Sequence, residues 1–381
     1  MEIIKPRAAK WLDTYGPQAK HNIAESYVEP LSIRELMALS DGHDSEAFLS
    51  ALLDTKLDYG EIDGSWELRS AIASFYRQKD AGNIMLTHGA IASNYIALFG
   101  LLSPGDRVVT THPNYQQLYA VPQAFGAEMT LLELRREDGY LPNLEALRRA
   151  MEGGCRMLIL SNPNNPTSSV MDRAYLEKVV EAAREAGAYL LCDEIYLGYP
   201  RGGVELARVA DLYEKGISTG SFSKVYGLSG ARVGWIAASK EVMETLAPYR
   251  NYTAICGGQL GDTVASLAMK SFDKLMARNR AIVECNLAYL QAWLEKTPEV
   301  ACDIPPAGTF VLLRYRLASS SEALCSGLFE STGTFIMPGN CFDMEGTLRL
   351  GIGGDPEHFK AGLACLDQYL NQMTGGERHE S

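Results

Sequence analysis

Ser221-Phe222-Ser223-Lys224-Val225-Tyr226-Gly227-Leu228-Ser229-Gly230-Ala231-Arg232-Val233-Gly234-Trp235 gathers one lysine, three serines, three glycines and an arginine into a single short, turn-rich stretch. An amine on Lys224 can form a Schiff base, and the hydroxyls of Ser221 and Ser223 with the guanidinium of Arg232 are suited to a phosphate beside it. Taken alone, Lys224 reads equally as a surface lysine in a strand-to-loop turn. The surrounding chain decides between the two.

Short apolar runs flank this stretch, at 217–220 and 233–237, and similar runs recur upstream at 84–87, 107–111, 128–134, 156–160 and 188–192. Helical patterns separate them, at 66–78, 92–102 and 173–186, the last with Asp172 as N-cap and Gly187 as its stop. That alternation predicts a mostly parallel sheet covered by helices. A long helical pattern over 262–294 changes the rhythm, and short strands at 309–314 and 347–351 follow Ile304-Pro305-Pro306-Ala307-Gly308. The chain is therefore expected to divide into an N-terminal arm with part of a small domain (1–45), a large domain (46–260), and the long helix with the rest of the small domain (261–381). The polar tail from Thr374 is expected to fray.

In open parallel sheets ligands bind beyond the carboxyl ends of the strands. The run 156–160 leads into Ser161-Asn162-Pro163-Asn164-Asn165-Pro166-Thr167, which is either an ordinary loop or a turn that aims amide side chains into a cleft. The run 188–192 leads into Asp193-Glu194-Ile195-Tyr196. Asp193 there could pair with a protonated pyridine nitrogen, cap a helix or bind a metal; no histidine cluster accompanies it, and no metal is expected. The run 84–87 leads into His88-Gly89-Ala90-Ile91, a glycine-bearing helix start suited to phosphate. His88 is either a packed, hydrogen-bonded histidine or a group that touches the ligand.

At 381 residues the chain exceeds what one hydrophobic core normally serves, so two domains are expected. Its 46% hydrophobic and 22% charged content is that of a globular protein, and a net charge of -12 argues against nucleic acid or an anionic membrane as the main partner. Small molecules are the expected ligands. The eight cysteines form no Cys-x-x-Cys pair, no apolar run reaches the ~20 residues that span a bilayer, and the start lacks a signal-peptide core; a cytoplasmic location is expected.

Seven elements, in order, resemble the class I and II aminotransferases, the fold-type I enzymes of pyridoxal 5′-phosphate. They are Tyr59-Gly60 with Gly64 and Glu67-Leu68-Arg69, Thr87-His88-Gly89-Ala90, Pro113-Asn114-Tyr115, residues 162–167, Asp193-Glu194-Ile195-Tyr196, the Lys224 run, and Leu348-Arg349-Leu350. The resemblance implies an α/β fold with a large, mostly parallel sheet domain and a smaller α+β domain. It implies that Lys224 forms the internal aldimine and moves the α-proton, that Asp193 pairs with the pyridinium, and that Asn165 and Tyr196 bind the phenolic oxygen. Tyr115 would stack on the ring. Ser221, Ser223, Arg232 and the amides after Gly89, those of Ala90 and Ile91, would hold the phosphate. Tyr59 would reach the phosphate of the neighbouring subunit in a homodimer with shared active sites. Arg349, otherwise a surface ion-pair residue, would clamp the substrate carboxylate beside Asn165.

The expected reaction is transamination between an L-amino acid and a 2-oxo acid. Three departures qualify it. Where relatives commonly carry a small glycine-containing turn, this chain has Asn22-Ile23-Ala24-Glu25-Ser26-Tyr27-Val28-Glu29-Pro30; facing the cleft, Glu25 or Glu29 would favour a cationic substrate, and facing outward they would say nothing. Ser168 stands where glycine is usual, and His88 occupies a position more often small or amide-bearing, near the substrate. The segment Arg250-Asn251-Tyr252-Thr253-Ala254-Ile255-Cys256 resembles a branch with capreomycidine synthase and oxygen-using arginine desaturases and hydroxylases. The alternative is therefore an oxidase, desaturase, hydroxylase or cyclase acting on arginine or a related amino acid.

Overall fold

Runs of Leu, Ile, Val and Met too short for helices form strands whose residues are buried on both faces, the signature of a sheet covered on each side. In the computed structural model, which describes residues 3–40, 45–77, 79–373 and 375, seven of them make the large sheet. Its order is Ile84–Thr87, Gly234–Ala237, Gly216–Ser221, Tyr189–Asp193, Met157–Ser161, Arg107–His112, Glu128–Glu133. Gly234–Ala237 alone runs against its neighbours. Met157–Ser161 and Gly216–Ser221 are buried throughout, whereas the edge strand Glu128–Glu133 is largely exposed and carries a glutamate at each end.

Register matters more than order for the site. Ser161 lies opposite Asp193, and Asp193 opposite Thr219, so two strands finish level, the third runs on to Ser221, and polar side chains gather along one rim. Helix Ala90–Leu101 begins two residues earlier than its apolar pattern predicts because Gly89, at φ 77°, serves as N-cap. Asp172 caps Arg173–Glu185 by accepting from the Tyr175 amide at 2.8 Å, and Gly187 follows at φ 66°.

Two helices differ from expectation. The first, Trp66–Ala73, stops short of 78 because Phe75 and Tyr76 turn inward, Phe75 against Trp235 and Tyr226, and Tyr76 accepting from Trp235 Nε1 at 2.9 Å. The pattern over 262–294 is two helices, Gln259–Lys270 and Phe272–Leu294, broken at Ser271, whose ψ of 25° leaves the helical range. Gln78 and the tail residues 374 and 376–381 lie outside the described residues.

A second, antiparallel sheet orders Met337–Pro338, Thr347–Gly351, Phe310–Tyr315 and Val300–Cys302. The N-terminal segment joins this unit: His21–Asn22 pairs with Thr334–Phe335, and Trp11 Nε1 donates to the Ile336 carbonyl at 3.1 Å. Residues 23–29 then run as a strap along the end of Thr347–Gly351. The Gly351 amide donates to the Ile23 carbonyl at 2.9 Å and the Glu29 amide to the Gly353 carbonyl at 2.7 Å. The approach is so close that a Cβ on Gly351 would lie 1.7 Å from the Glu25 carbonyl oxygen. On its other side, the Val28 amide donates to the Lys224 carbonyl at 2.9 Å.

Candidate active site

Asp193 ends its strand buried. Asn94 Nδ2 donates to its Oδ2 at 2.8 Å and the Ile195 amide to its Oδ1 at 3.1 Å. Asn94 is itself fixed by Thr219, whose hydroxyl donates to Asn94 Oδ1 at 2.6 Å. Burial raises the Asp193 carboxyl above its usual range, opposed by Asn94, the Ile195 amide and the charge of Lys224. Sequence reasoning missed Asn94, because a polar residue beside Ser93 on a largely apolar helix carries no marker of its own. The neighbouring Glu194 has a different part: it accepts from Arg208 Nη1, the Val209 amide and the Ser218 hydroxyl, and burial pushes it up to about 7. That pair is internal architecture.

Lys224 is half-buried, with its Nζ 5.4 Å from the centre of the Tyr27 ring. Its loop is held by its main chain. Tyr199 Oη donates to the Val225 carbonyl, as does Asn279 Nδ2 at 3.2 Å, and the Ser223 amide donates to Ser221 Oγ at 3.1 Å. Arg232, in the left-handed region at φ 55°, donates to the Ser229 carbonyl at 3.0 Å and to the His88 carbonyl at 3.4 Å. Its guanidinium lies against Gly89, where a Cβ would stand 2.5 Å from Nη2; a Cβ on Gly234 would stand 2.3 Å from the Gly89 carbonyl carbon. Two glycines thus let the backbone before Ala90 press onto the Lys224–Trp235 segment. The amides of Ala90 and Ile91 belong to the first helical turn, which has no intrahelical acceptors.

Across the rim, Arg349 is buried in strand Thr347–Gly351. Its Nη1 donates to Asn165 Oδ1 at 3.0 Å and its Nη2 to the Ala24 carbonyl at 3.2 Å, while Nε is buried without a partner. Phe310 and Phe342 flank the guanidinium, and burial lowers its pKa against the opposing influence of Tyr196 and Glu25. Asn165 is held through its own amide by Ser161 Oγ at 3.4 Å; Ser161 donates to Asn114 Oδ1 at 2.6 Å, and the Tyr115 amide donates to the same oxygen at 2.8 Å. Tyr196 packs edge-on against Phe310, its hydroxyl 2.8 Å from Ser26 Oγ. Burial, Asp193 and Tyr196 push the Tyr115 phenol up to about 12, so it is neutral across the working pH range.

Asp193, Lys224, Tyr115, Tyr196, Asn165 and Arg349 are therefore linked by contact or by mutual electrostatic influence. Tyr59 and His88 stand apart from them. Both are exposed and line an open cavity of about 670 Å³ with Leu57, Ile255 and Cys256, and His88 Nε2 lies 3.1 Å from the Cys256 carbonyl. Glu25, Tyr27 and Glu29 line another cavity, of about 210 Å³, with Asp355 and His358; Glu29 accepts from the Asp355 amide at 3.0 Å. Ser168 takes the left-handed conformation, φ 58°, that glycine adopts more easily, with its hydroxyl donating to the Thr167 carbonyl at 2.6 Å. Ser26 and Tyr27 were missed as site residues: nothing in a short polar segment reveals which side chains turn inward. No group of three or more metal-ligating side chains occurs among the described residues.

A family model for aminotransferase class I and II matches residues 43–366. Capreomycidine synthase from Streptomyces vinaceus is 28% identical over 375 residues, covering 97% of this chain and 94% of the relative. Arginine–pyruvate transaminase from Pseudomonas aeruginosa is 26% identical over 351 residues, covering 86% and 87%. The crystal structure of a PLP-dependent aminotransferase from Streptococcus suis superposes with a TM-score of 0.95 at 37% identity, covering 100% of both chains.

The raised Asp193 carboxyl has a measurable consequence. Its folded pKa lies above the unfolded value, so its contribution to stability is complete below the ordinary carboxylate range and is lost as pH rises through the raised value. In ligand-free protein, Asp193→Asn is expected to flatten the fall in thermal midpoint from about pH 4 upward. An unchanged slope would contradict the assignment.

Proposed function

This chain belongs to the class I and II aminotransferases, and from that premise we propose that it moves the amino group of an L-amino acid to a 2-oxo acid, with pyridoxal 5′-phosphate as its cofactor. The observation that carries the reading is the buried Arg349 clamp, its Nε unpartnered and its neighbour Asn165 already bonded. A substrate carboxylate answers that unmet donor.

The residues fit the cofactor at three points. The carboxylate of Asp193, buried and oriented by Asn94, suits a protonated ring nitrogen. The Gly89–Gly234 approach leaves a side-chain-free cradle beside Arg232, Ser221 and Ser223, open to a phosphate with the Ala90 and Ile91 amides. Asn165 and Tyr196 sit in the loops that follow two adjoining strands, suited to a phenolic oxygen. When bound, the cofactor supplies an electron sink for the bonds of the substrate α-carbon.

Lys224 Nζ takes the proton from the α-carbon and returns it during the exchange. With the cofactor bound, Asp193 would keep the ring nitrogen protonated, Tyr196 and Asn165 would hold the phenolic oxygen, and Tyr115 would lie against the ring. Arg349 fixes the carboxylate and thereby the direction of the α-hydrogen. Because Arg349 stands in a strand of the small sheet and Lys224 in the loop after a strand of the large one, drawing the two together on a bound substrate excludes water. The division at residues 45 and 260 and a cytoplasmic location are proposed on the same reading.

A homodimer with Tyr59 reaching the partner's phosphate is part of the proposal. Leu57, Tyr59 and Ile255, 86%, 62% and 48% exposed, crowd one cavity wall, an apolar patch suited to a second copy. A second reading has its own support: the carboxylates of Glu25 and Glu29 share a cavity with Tyr27, whose ring lies on Lys224. That acidity, with the likeness to capreomycidine synthase, favours arginine or a related cationic substrate and a reaction that does not transaminate.

Incubating holoenzyme with a panel of amino acids, with and without a 2-oxo acid and oxygen, should give turnover that requires the 2-oxo acid, and Lys224→Ala should abolish it. Turnover needing oxygen alone, or a cyclic product, would replace transamination with the second reading. Glu25→Gln and Glu29→Gln are each expected to lower kcat/KM for arginine relative to leucine by about tenfold; an unchanged ratio removes the cationic substrate. Sedimentation should return twice the chain mass of 41.7 kDa, and Leu57→Glu with Ile255→Glu should return the monomer.

A further inference from the structure

The strap 23–29 passes Arg349, Tyr196 and Lys224 in turn. The Ala24 carbonyl accepts from Arg349, the Ser26 hydroxyl meets Tyr196, the Tyr27 ring meets the Lys224 ammonium, and the Val28 amide bonds the Lys224 carbonyl. Of these contacts, the one between Ser26 and Tyr196 joins two rotatable hydroxyls, so it alone leaves open which partner donates.

Ser26 is 2% exposed, and its main-chain carbonyl is occupied by the Thr309 hydroxyl at 2.6 Å. The residue after Thr309 is Phe310, whose ring fixes Tyr196 from the edge at 4.7 Å between centroids. Thr309, just before the small-sheet strand, and Phe310, its first residue, therefore hold both members of the pair, one through the serine backbone and the other through the phenol ring. A contact made by residues 170 apart in sequence and fixed on both sides is built into the fold. We propose that Ser26 is a positioning residue: its hydroxyl donates to Tyr196 Oη and aims the phenol's own proton at the oxygen that Tyr196 binds.

Each hydroxyl has one proton to donate. With Ser26 donating into Tyr196 Oη, the phenol proton is left for the cofactor's phenolic oxygen and is made a stronger donor by polarisation along the chain of bonds. A stronger donor at that oxygen draws negative charge from it. The proton held at Lys224 Nζ beside it is then bound less tightly. The other charged or titratable groups facing the pair and Lys224 are Arg349 from its strand, Asp193 and Tyr115 from the large sheet, and Tyr27 and Glu25 from the strap.

The inference rests on the cofactor assignment above, and its test separates the two. Wild-type holoenzyme titrated by visible absorbance should give a pH midpoint that rises by about half a unit in Ser26→Ala and returns towards wild type in Ser26→Thr. In a Tyr196→Phe background, Ser26→Ala should add no further shift, because Ser26 acts through the phenol. An unchanged midpoint in Ser26→Ala, or an equal shift with Tyr196 removed, overturns the inference while the cofactor reading stands. Absence of any visible band in the wild-type protein reconstituted with pyridoxal phosphate overturns the cofactor reading itself, and the inference with it. If Ser26→Ala does not fold, Ser26→Cys, whose thiol is a weak donor, makes the same comparison.

Discussion

A carboxyl group taken out of water is costly to ionise unless it is partnered, and Asp193 is a buried carboxyl at the end of a central strand. Its tolerance depends on Asn94, which depends on Thr219, which lies opposite Asp193 in the register of the next strand. Asn94 in turn reaches the rim because helix Ala90–Leu101 starts at Gly89, and that start is possible because Gly234 lets the backbone close onto it. Sheet register, helix start and the glycine before Trp235 are thus three conditions for one carboxylate. The same three conditions shape the cradle beside Arg232.

The second half of the site is built by the other sheet, and the strap joins the halves. Its backbone is fixed to Gly351 and Gly353 on one side and to Lys224 on the other. A single apolar cluster, from Ile23 and Val28 through Val225 and Tyr226 to Leu350, runs beneath these bonds. Arg349 cannot shift far without moving Ala24, and Ala24 is two residues from Ser26. The Arg349 guanidinium, the Tyr196 phenol and the Lys224 ammonium are mechanically neighbours although they come from three distant parts of the chain.

Strands of the large sheet were legible because parallel, doubly covered strands read as apolar runs, and each ended within a residue or so of its expected bound. Lys224, Asp193, Asn165, Tyr196 and Arg349 were singled out because each follows or lies in such a run and because the motifs around them resemble those of the family, and the structure brings them to one rim. Asn94 was not: an amide within an apolar helix has no marker of its own until the opposite strand supplies Thr219. Ser26 and Tyr27 were hidden for a similar reason, since a strap with almost no regular structure takes its side-chain directions from Gly351, Gly353 and Phe310, all more than 280 residues away. The joint at Ser271 was invisible because both flanking helices share one apolar rhythm.

This asymmetry separates the groups suited to the cofactor from the side chains of the strap. The groups suited to ring, phosphate and carboxylate stand on strand ends or in strands, where register allows little variation. Glu25, Tyr27 and Glu29 stand on the strap, where side chains can change without disturbing either sheet, because the strap is held by its main chain. A chain of this architecture can therefore vary the side chains of Glu25, Tyr27 and Glu29 while Asp193, Lys224 and Arg349 stay in place. The close fit of Gly351 and Gly353 against the strap backbone sets the limit: the path of the segment and its buried Ala24, Ser26 and Val28 are fixed, and only the side chains of Glu25, Tyr27 and Glu29 are free to diverge.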